Sequence, residues 1–180
     1  MTPAETTFAR LYEGLYDDVH AFCARRVGWA EADDATADVF IAVWRRIDEP
    51  ILTTHRAWLF GIARHVVLNR WRTRDRRRKL VDRVRGVRGD TPPEPDVVVV
   101  RRAEDDAVLE ALNRLSARDQ EILRLSTWEE LSAPEIAHVL GIRTSAVHQR
   151  IGRARRRLAQ VVRRSSPELV LDLTTEEGTA

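Results

Sequence analysis

Residues 132–150 read SAPEIAHVLGIRTSAVHQR and decide the fold of the second half of the chain. The stretch from Ser132 to Glu135 has the pattern of a capping box with a proline in the first turn, which predicts the start of a helix. Gly141 follows this short apolar helix, and glycine at a helix end permits the positive φ that a sharp turn needs. Because a second helix is predicted about three residues later, the stretch has the pattern of a helix-turn-helix motif, which is typical of DNA-binding proteins.

The second helix of this motif combines a predicted apolar stripe with a basic outer face. Val147, Ile151, Ala154 and Leu158 recur at helical spacing and are predicted to be buried. Residues 143–164 contain eight arginines and no acid, so their charge has no local neutralisation. We predict that this helix enters a major groove, with its first turns on base edges and its arginines on phosphates; the alternative is a solvated helical hairpin. The residues predicted to face DNA are Ser145, His148, Gln149, Arg150, Arg153, Arg156 and Arg157.

Length and composition fit a soluble protein with one domain or two small ones. The chain has 180 residues, of which 43% are hydrophobic and 32% are charged. Its single cysteine, Cys23, excludes a disulfide framework within one chain and fits a reducing cytoplasm. The first residues lack a basic segment followed by an apolar one, and no run of about 18 apolar residues occurs. We therefore expect a cytoplasmic protein that is not exported and has no direct membrane insertion.

The first half is also predicted to be helical, because its apolar residues recur at spacings of three and four. Gly28 separates the first two helices, and Pro50 separates the second from a third that begins near Ala57. The apolar stripe of the first helix comprises Phe8, Leu11, Tyr12, Leu15, Val19, Phe22 and Cys23, and that of the second comprises Val39, Phe40, Val43, Trp44 and Ile47. Residues 86–96, GVRGDTPPEPD, are rich in proline and glycine and predict a linker.

The predicted fold class is therefore all-α, with two small helical domains joined by a flexible linker. The predicted boundaries are residues 1–85 for the first domain, 86–100 for the linker, 101–164 for the second domain and 165–180 for an acidic, mobile tail.

The third helix ends in a second basic block, and residues 70–88 carry a net charge of +8. Arginines beside aromatic and amide side chains suit unstacked single-stranded bases as well as duplex phosphates, although a solvated face is the alternative. Trp58 is expected in the core, whereas Trp71 is as compatible with base stacking as with packing. His65 and Asn69 lie four residues apart, so they can flank an extruded base or hydrogen-bond each other.

The sequence offers little support for catalysis. It has no glycine-rich phosphate loop and no cluster of histidine, cysteine and aspartate at metal-ligand spacing. Asp33, Asp34 and Asp38 lie close together and could hold a metal ion, but acids near the start of a helix more commonly interact with the helix dipole. We expect no enzymatic activity, no cofactor and no bound metal.

Taken together, the order of these parts resembles a bacterial extracytoplasmic-function (ECF) RNA polymerase sigma factor of the sigma-70 family. The resemblance covers about residues 8–160. It is carried by the first helix from Phe8 to Arg26, by DDATADVFIAVWRRI at 33–47, by AWLFGIARHVVLNRWR at 57–72 and by the domain from Leu112 to Leu158, with RIGRAR at 150–155. It implies a helical bundle called sigma region 2 and a helix-turn-helix domain called sigma region 4.

The resemblance also implies roles and partners. The partners are core RNA polymerase, through the clamp helices of its largest subunit and its flap region, promoter DNA, and an anti-sigma factor. Region 4 is expected to read the −35 element with the DNA-facing residues named above, and the segment from Asp48 to Ala57 is expected to help capture a flipped −10 base. The residues expected to bind core polymerase are Asp34, Asp38, Val39, Phe40, Val43 and Trp44. Those expected to contact −10 DNA are His65, Asn69, Arg64, Arg70, Trp71, Arg72 and Arg74.

The chain departs from the family pattern at several positions. His65 stands where many members have asparagine, and a ring with one donor and one acceptor offers a base a different edge from an amide. Ala37 and Asp38 replace a common Gln-Glu pair. SAVHQR at 145–150 replaces a common Gly-Thr-Val-Lys-Ser-Arg, so the scaffold residues Val147 and Arg150 match while the base-reading residues differ.

Three other classes of protein remain alternatives on the sequence alone. A stand-alone helix-turn-helix regulator would bind a symmetric operator tightly without polymerase. An RNA-binding protein or nucleic-acid chaperone would bind with little sequence discrimination and steep salt dependence. A nuclease would need a metal ion. None of the three explains the helix at 33–47.

Overall fold

Seven α-helices make up the regular structure of the residues that the computed structural model describes, which are 2–49, 54–85 and 103–165. The chain divides into two compact units, Met1–Val98 and Val99–Ala180. The all-α class with two helical domains is thus confirmed. The predicted linker, and the part of the predicted tail from residue 166 onward, lie outside the described residues.

The first unit contains α1 (Pro3–Val27), α2 (Trp29–Arg45) and α3 (His55–Arg85). A capping box starts α1: the backbone N–H of Thr2 donates to Glu5 Oε2 at 2.8 Å, and that of Glu5 donates to Thr2 Oγ1 at 3.2 Å. Gly28 joins α1 to α2 with a φ of +86°, which an L-residue with a side chain rarely adopts. The single glycine therefore lets α2 begin immediately and fold back on α1.

The three helices of the first unit pack against one another around a shared core. The rings of Phe22 on α1 and Phe60 on α3 lie 5.4 Å apart, and both are fully buried. Trp58 is only 7% exposed, so the prediction that it belongs to the core is confirmed. Other apolar residues at 0% exposure are Val19, Cys23, Ala32, Ala35, Val39, Val43, Ala57, Leu59 and Ala63.

The second unit contains α4 (Ala103–Asn113), α5 (Ala117–Thr127), α6 (Ala133–Leu140) and α7 (Thr144–Ser165). Ser116 caps α5 by accepting from the Asp119 N–H at 3.2 Å, and the Ser132 N–H donates to Glu135 Oε2 at 2.9 Å at the start of α6. Gly141 ends α6 in the left-handed conformation, with a φ of +64°. The capped helix, glycine turn and second helix predicted from residues 132–150 are therefore present.

The long helix α7 organises the second unit, because α4, α5 and α6 all pack against it. Val147 and Ala154 on α7 are fully buried, as the apolar stripe predicts, while Ile151 and Leu158 are half-buried. The remaining core is supplied mainly by leucine, isoleucine and alanine from the other three helices. Its members include Ala111, Leu112, Leu115, Ile122, Leu123, Leu125, Ile136, Ala137 and Val139.

Candidate functional site

All the residues predicted to bind core polymerase lie on α2. They fall into two groups, one exposed to solvent and one buried in the first unit. Asp34 and Asp38 are exposed, and the side chain of Trp44 is 46% exposed. Val39 and Val43 are at 0% exposure and Phe40 is at 4%, so they pack inside the first unit.

The prediction of direct polymerase contact is therefore corrected for Val39, Phe40 and Val43. Their helical spacing places them on the side of α2 that faces α1 and α3, where no partner of the folded domain can reach them. Their packing against the rest of the first unit holds α2, and with it the exposed residues, in position.

A cluster of aromatic rings lies at the α1–α2 seam, and its members on α1 were not assigned to any binding surface from the sequence. It contains Phe8, Tyr12 and Tyr16 of α1, which recur every four residues, together with Phe40 and Trp44 of α2. The rings of Phe8 and Trp44 are 5.2 Å apart and those of Tyr12 and Phe40 are 4.8 Å apart. Tyr12 is 43% exposed, so the accessible aromatic surface beside Trp44 extends onto α1. From the sequence, Phe8 and Tyr12 were placed in the apolar stripe of the first helix and Tyr16 was assigned no role, although the spacing of four was visible.

On α3, the predicted base-flanking pair His65 and Asn69 is exposed. No hydrogen bond joins the two side chains in the described structure, so they do not satisfy one another. Instead, Asn69 Oδ1 accepts from Arg72 Nη1 at 3.4 Å, and the Asn69 carbonyl accepts from Thr73 Oγ1 at 2.9 Å. Both side chains, together with exposed Arg72, are thus accessible on the outer surface of α3.

Other predicted −10 residues hold α3 to its neighbours. Arg70 donates through Nε and Nη2 to Asp38 Oδ2, at 2.9 and 2.5 Å. Arg74 Nη2 lies 2.8 Å from Glu31 Oε1. The indole N–H of Trp71 donates to the backbone carbonyl of Arg26 at 3.2 Å, and the side chain is half-buried.

These contacts divide the residues predicted to bind the −10 element into those with structural partners and those that are accessible to DNA. Trp71 has a structural bond that fixes α3 to the end of α1, so its N–H is not available to a base. Arg70 and Arg74 are paired with acids of α2. Arg64 is half-buried. His65, Asn69 and Arg72 are exposed and, among the described residues, have no side-chain bond to another helix.

In the second unit, α7 exposes most of its predicted DNA-facing residues. Ser145, His148 and Gln149 lie exposed in the first two turns, directly after the glycine turn. Arg153 and Arg156 are exposed further along, and Arg150 is half-buried. The helix thus has the accessible polar start and basic continuation that groove recognition requires.

One predicted phosphate contact also has a structural partner. Arg157 Nη1 donates to Asp119 Oδ2 at 2.5 Å and thereby ties α7 to the start of α5. The Asp119 side chain is only 12% exposed, whereas that of Arg157 is 55% exposed. Because a nearly buried carboxylate needs a compensating charge, this pair stabilises the helix arrangement of the second unit.

A groove of about 330 Å³ opens between α4, α5 and α7. It is lined mainly by apolar side chains, and its lining also includes two arginines and a threonine. The lining residues are Val108, Leu109, Leu112, Leu123, Arg124, Thr127, Trp128, Arg155 and Leu158. This groove was not predicted from the sequence.

The described residues give no support to the metal alternative. They contain no group of three histidine, cysteine, aspartate or glutamate side chains that could hold an ion. Asp33 Oδ1 lies 3.0 Å from His20 Nε2, whereas Asp38 pairs with Arg70. Within the same ranges, no helix is long and apolar enough to cross a membrane.

Comparison with known proteins identifies both units. Residues 11–77 match the family model for sigma-70 region 2, and residues 105–158 match that for sigma-70, region 4. The RNA polymerase sigma factor CnrH of Cupriavidus metallidurans is 33% identical over 153 residues, which cover 79% of this chain and 80% of that protein. The chain belongs to the sigma-70 family of RNA polymerase sigma factors.

Further relatives place this sigma factor in the ECF group. The ECF sigma factor BldN of Streptomyces coelicolor is 30% identical over 158 residues, covering 86% of this chain and 60% of that protein. The RNA polymerase sigma factor YlaC of Bacillus subtilis is 28% identical over 164 residues, covering 88% and 93%. The resemblance deduced from residues 8–160 is thus confirmed.

A solved structure shares the helical architecture of this sigma factor. The structure of CnrH in complex with the cytosolic domain of CnrY has a TM-score of 0.62 and 26% identity, covering 90% of this chain and 91% of that one. The first unit is therefore sigma region 2 and the second is sigma region 4. Its function is that of an initiation factor for promoter-directed transcription.

Proposed function

We propose that this sigma factor joins core RNA polymerase through the exposed face of α2, reads the −35 element with α7 and captures the −10 element with α3. The observation that carries the proposal is the exposure of Ser145, His148 and Gln149 at the start of a helix whose arginines have no acid among residues 143–164. Side chains in that position can reach base edges while arginines behind them contact phosphates.

Core docking is supported by the chemistry of α2. Asp34, Asp38 and Trp44 combine exposed acids with an exposed aromatic ring, which complements a basic, amphipathic helix such as the clamp helices of the largest subunit. The apolar groove between α4, α5 and α7 offers a second contact, for an apolar segment of the flap region. Two contacts on one polymerase make the second binding step effectively intramolecular, so each DNA reader can be weak by itself.

The partner that restrains the protein is proposed to be an anti-sigma factor. The relative CnrH was solved in complex with the cytosolic domain of CnrY, and the structurally similar sigma factor RpoE of Bartonella quintana in complex with the anti-sigma factor NepR. We further propose a cytoplasmic location and no enzymatic activity of its own, because the protein supplies specificity while polymerase supplies catalysis.

The −35 assignment can be tested by exchanging two neighbouring side chains. In the double variant H148Q/Q149H the donors and acceptors presented to two base pairs change, and a well-formed bidentate base contact contributes about 1–3 kcal/mol of discrimination. Promoter selection from a randomised −35 library should therefore return a different consensus with the variant, while affinity for core polymerase stays unchanged.

A matched control uses the same residue types further along the same helix. Gln160 is exposed near the end of α7, so Q160H changes the helix surface without altering its first turns. This variant should select the wild-type consensus. If H148Q/Q149H also selects the wild-type consensus, α7 does not read the −35 element through these residues.

A further inference from the structure

Two ion pairs join α2 to α3, and they involve both of the proposed binding surfaces of region 2. Asp38, on the docking face of α2, accepts from Arg70, and Glu31, two turns earlier, pairs with Arg74. The pairs run in opposite order along the two helices, so together they fix the basic end of α3 against α2. Each arginine held in this way has its guanidinium directed at a carboxylate rather than at DNA.

The arginines of α3 fall into two classes by their contacts. Arg70 and Arg74 lie one turn apart and are paired across to α2. Arg72, Arg76 and Arg77 are exposed, and the bonds recorded for Arg72 and Arg76 stay within α3. Only part of the positive charge of the block is therefore available to DNA in this conformation.

These two ion pairs are exposed enough for a competing charged group to break them. The side chains of Arg70 and Asp38 are 24% and 51% exposed, and those of Arg74 and Glu31 are 54% and 34% exposed. Ion pairs this accessible to solvent are weak, because water and salt screen them. A phosphate group, or a basic partner of Asp38, can therefore compete for one member of a pair.

We propose that these two ion pairs form a lock that withholds Arg70 and Arg74 from promoter DNA until core polymerase engages Asp38. Engagement of Asp38 by a basic side chain of polymerase releases Arg70 to a phosphate of the −10 strand, and loss of that pair loosens the neighbouring Glu31–Arg74 pair. By thermodynamic linkage, DNA bound to Arg70 equally favours the docking of Asp38 on polymerase. The inference rests on the proposed function, since it needs α2 to bind polymerase and α3 to bind −10 DNA.

The test compares single acid-to-amide variants of the full chain without polymerase. E31Q frees Arg74 and leaves the docking residues unchanged, whereas D38N frees Arg70. D34N is the matched control, because Asp34 lies one turn from Asp38, is exposed, and has no ion pair among the described residues. All three variants remove one negative charge from the same helix.

The probe is a single-stranded oligonucleotide carrying the non-template −10 sequence of a promoter that the wild-type protein uses. Because exposed ion pairs contribute up to about 1 kcal/mol, we expect E31Q and D38N to bind it about two- to fivefold more tightly than D34N at low salt. An arginine newly placed on a phosphate also steepens the dependence of log K on log salt by about 0.7 for a single strand. That slope would not change if the pairs only stabilised the fold.

The outcomes separate this inference from the function on which it rests. If E31Q and D38N match D34N in affinity and salt slope, or bind more weakly, the lock is refuted. Core affinity of E31Q, which should be no lower than that of the wild type, shows that the docking face is intact. If the wild-type protein instead fails to bind core polymerase or to initiate at any promoter, the proposed function itself is wrong.

Discussion

Trp44 is the side chain of α2 whose replacement tests polymerase docking most cleanly. A Trp side chain has on the order of 250 Å² of surface, so an exposure of 46% leaves about 115 Å² for a partner to cover. At about 25 cal/mol per Å², full burial of that area contributes up to about 2.9 kcal/mol. Since about 1.4 kcal/mol corresponds to a tenfold change in affinity, W44A should weaken core binding by up to about 100-fold.

The variant also has a cost within the folded domain, which a control must match. W44A removes the edge-to-face contact with Phe8, whose ring is 5.2 Å away, and such contacts contribute about 0.5–1.5 kcal/mol. V43A truncates the neighbouring, fully buried side chain and should destabilise the domain by about 1–2 kcal/mol. Its docking surface remains intact.

The two variants should therefore separate stability from binding. Urea unfolding is expected to show a loss of stability for both, whereas titration with fluorescently labelled core polymerase, under conditions where both variants are folded, is expected to show a large loss for W44A alone. Equal core affinities for W44A and the wild type would refute the docking face, and an equal loss for both variants would attribute the effect to folding. A charged substitution at Phe40 is less informative, because that residue is only 4% exposed.

Three further predictions concern the turn, the thiol and the −10 site. G141A should lower the free energy of unfolding by about 1–2 kcal/mol, because alanine is strained in the left-handed conformation of residue 141. G152A in α7 should raise it by up to about 1 kcal/mol, because alanine favours a helix more than glycine does. Urea midpoints that shift in the same direction for both variants would contradict this. Burial raises the pKa of the Cys23 thiol in the folded protein. As the pH rises, the thiol therefore loses its proton at a lower pH in the unfolded chain than in the folded one. Stability should therefore fall as the pH rises above the ordinary thiol pKa, a dependence that C23A should reduce. H65A should reduce promoter melting, followed by permanganate reactivity, several-fold more than closed-complex binding measured by gel shift; equal losses would refute base capture.

Local sequence rules predicted the helices well, because their ends are set by neighbouring residues. Ser132 and Glu135 bond one another within one turn, and Gly141 supplies a backbone conformation that few other residues accept. Apolar spacing of three and four likewise predicted that Val147 and Ala154 are buried. These features depend on contacts a few residues apart, so the sequence carries the information directly.

The surfaces were less predictable, because they depend on contacts between helices distant in sequence. The stripe containing Phe40 and Trp44 looked uniform, yet the packing of α1 and α3 buries one and leaves the other accessible. Arg70 lies 32 residues from its partner Asp38, and Arg157 lies 38 residues from Asp119. A basic residue in a charged block therefore cannot be assigned to DNA or to an internal ion pair until the helix arrangement is known.

The central claim, that this chain directs core polymerase to promoters, is tested most directly by mapping transcription start sites in a purified system. Core polymerase of the source organism would be incubated with genomic DNA, with and without the full chain. The account predicts new start sites, present only with the chain, that share a −35 and a −10 element. Start sites identical to those of core polymerase alone would contradict it.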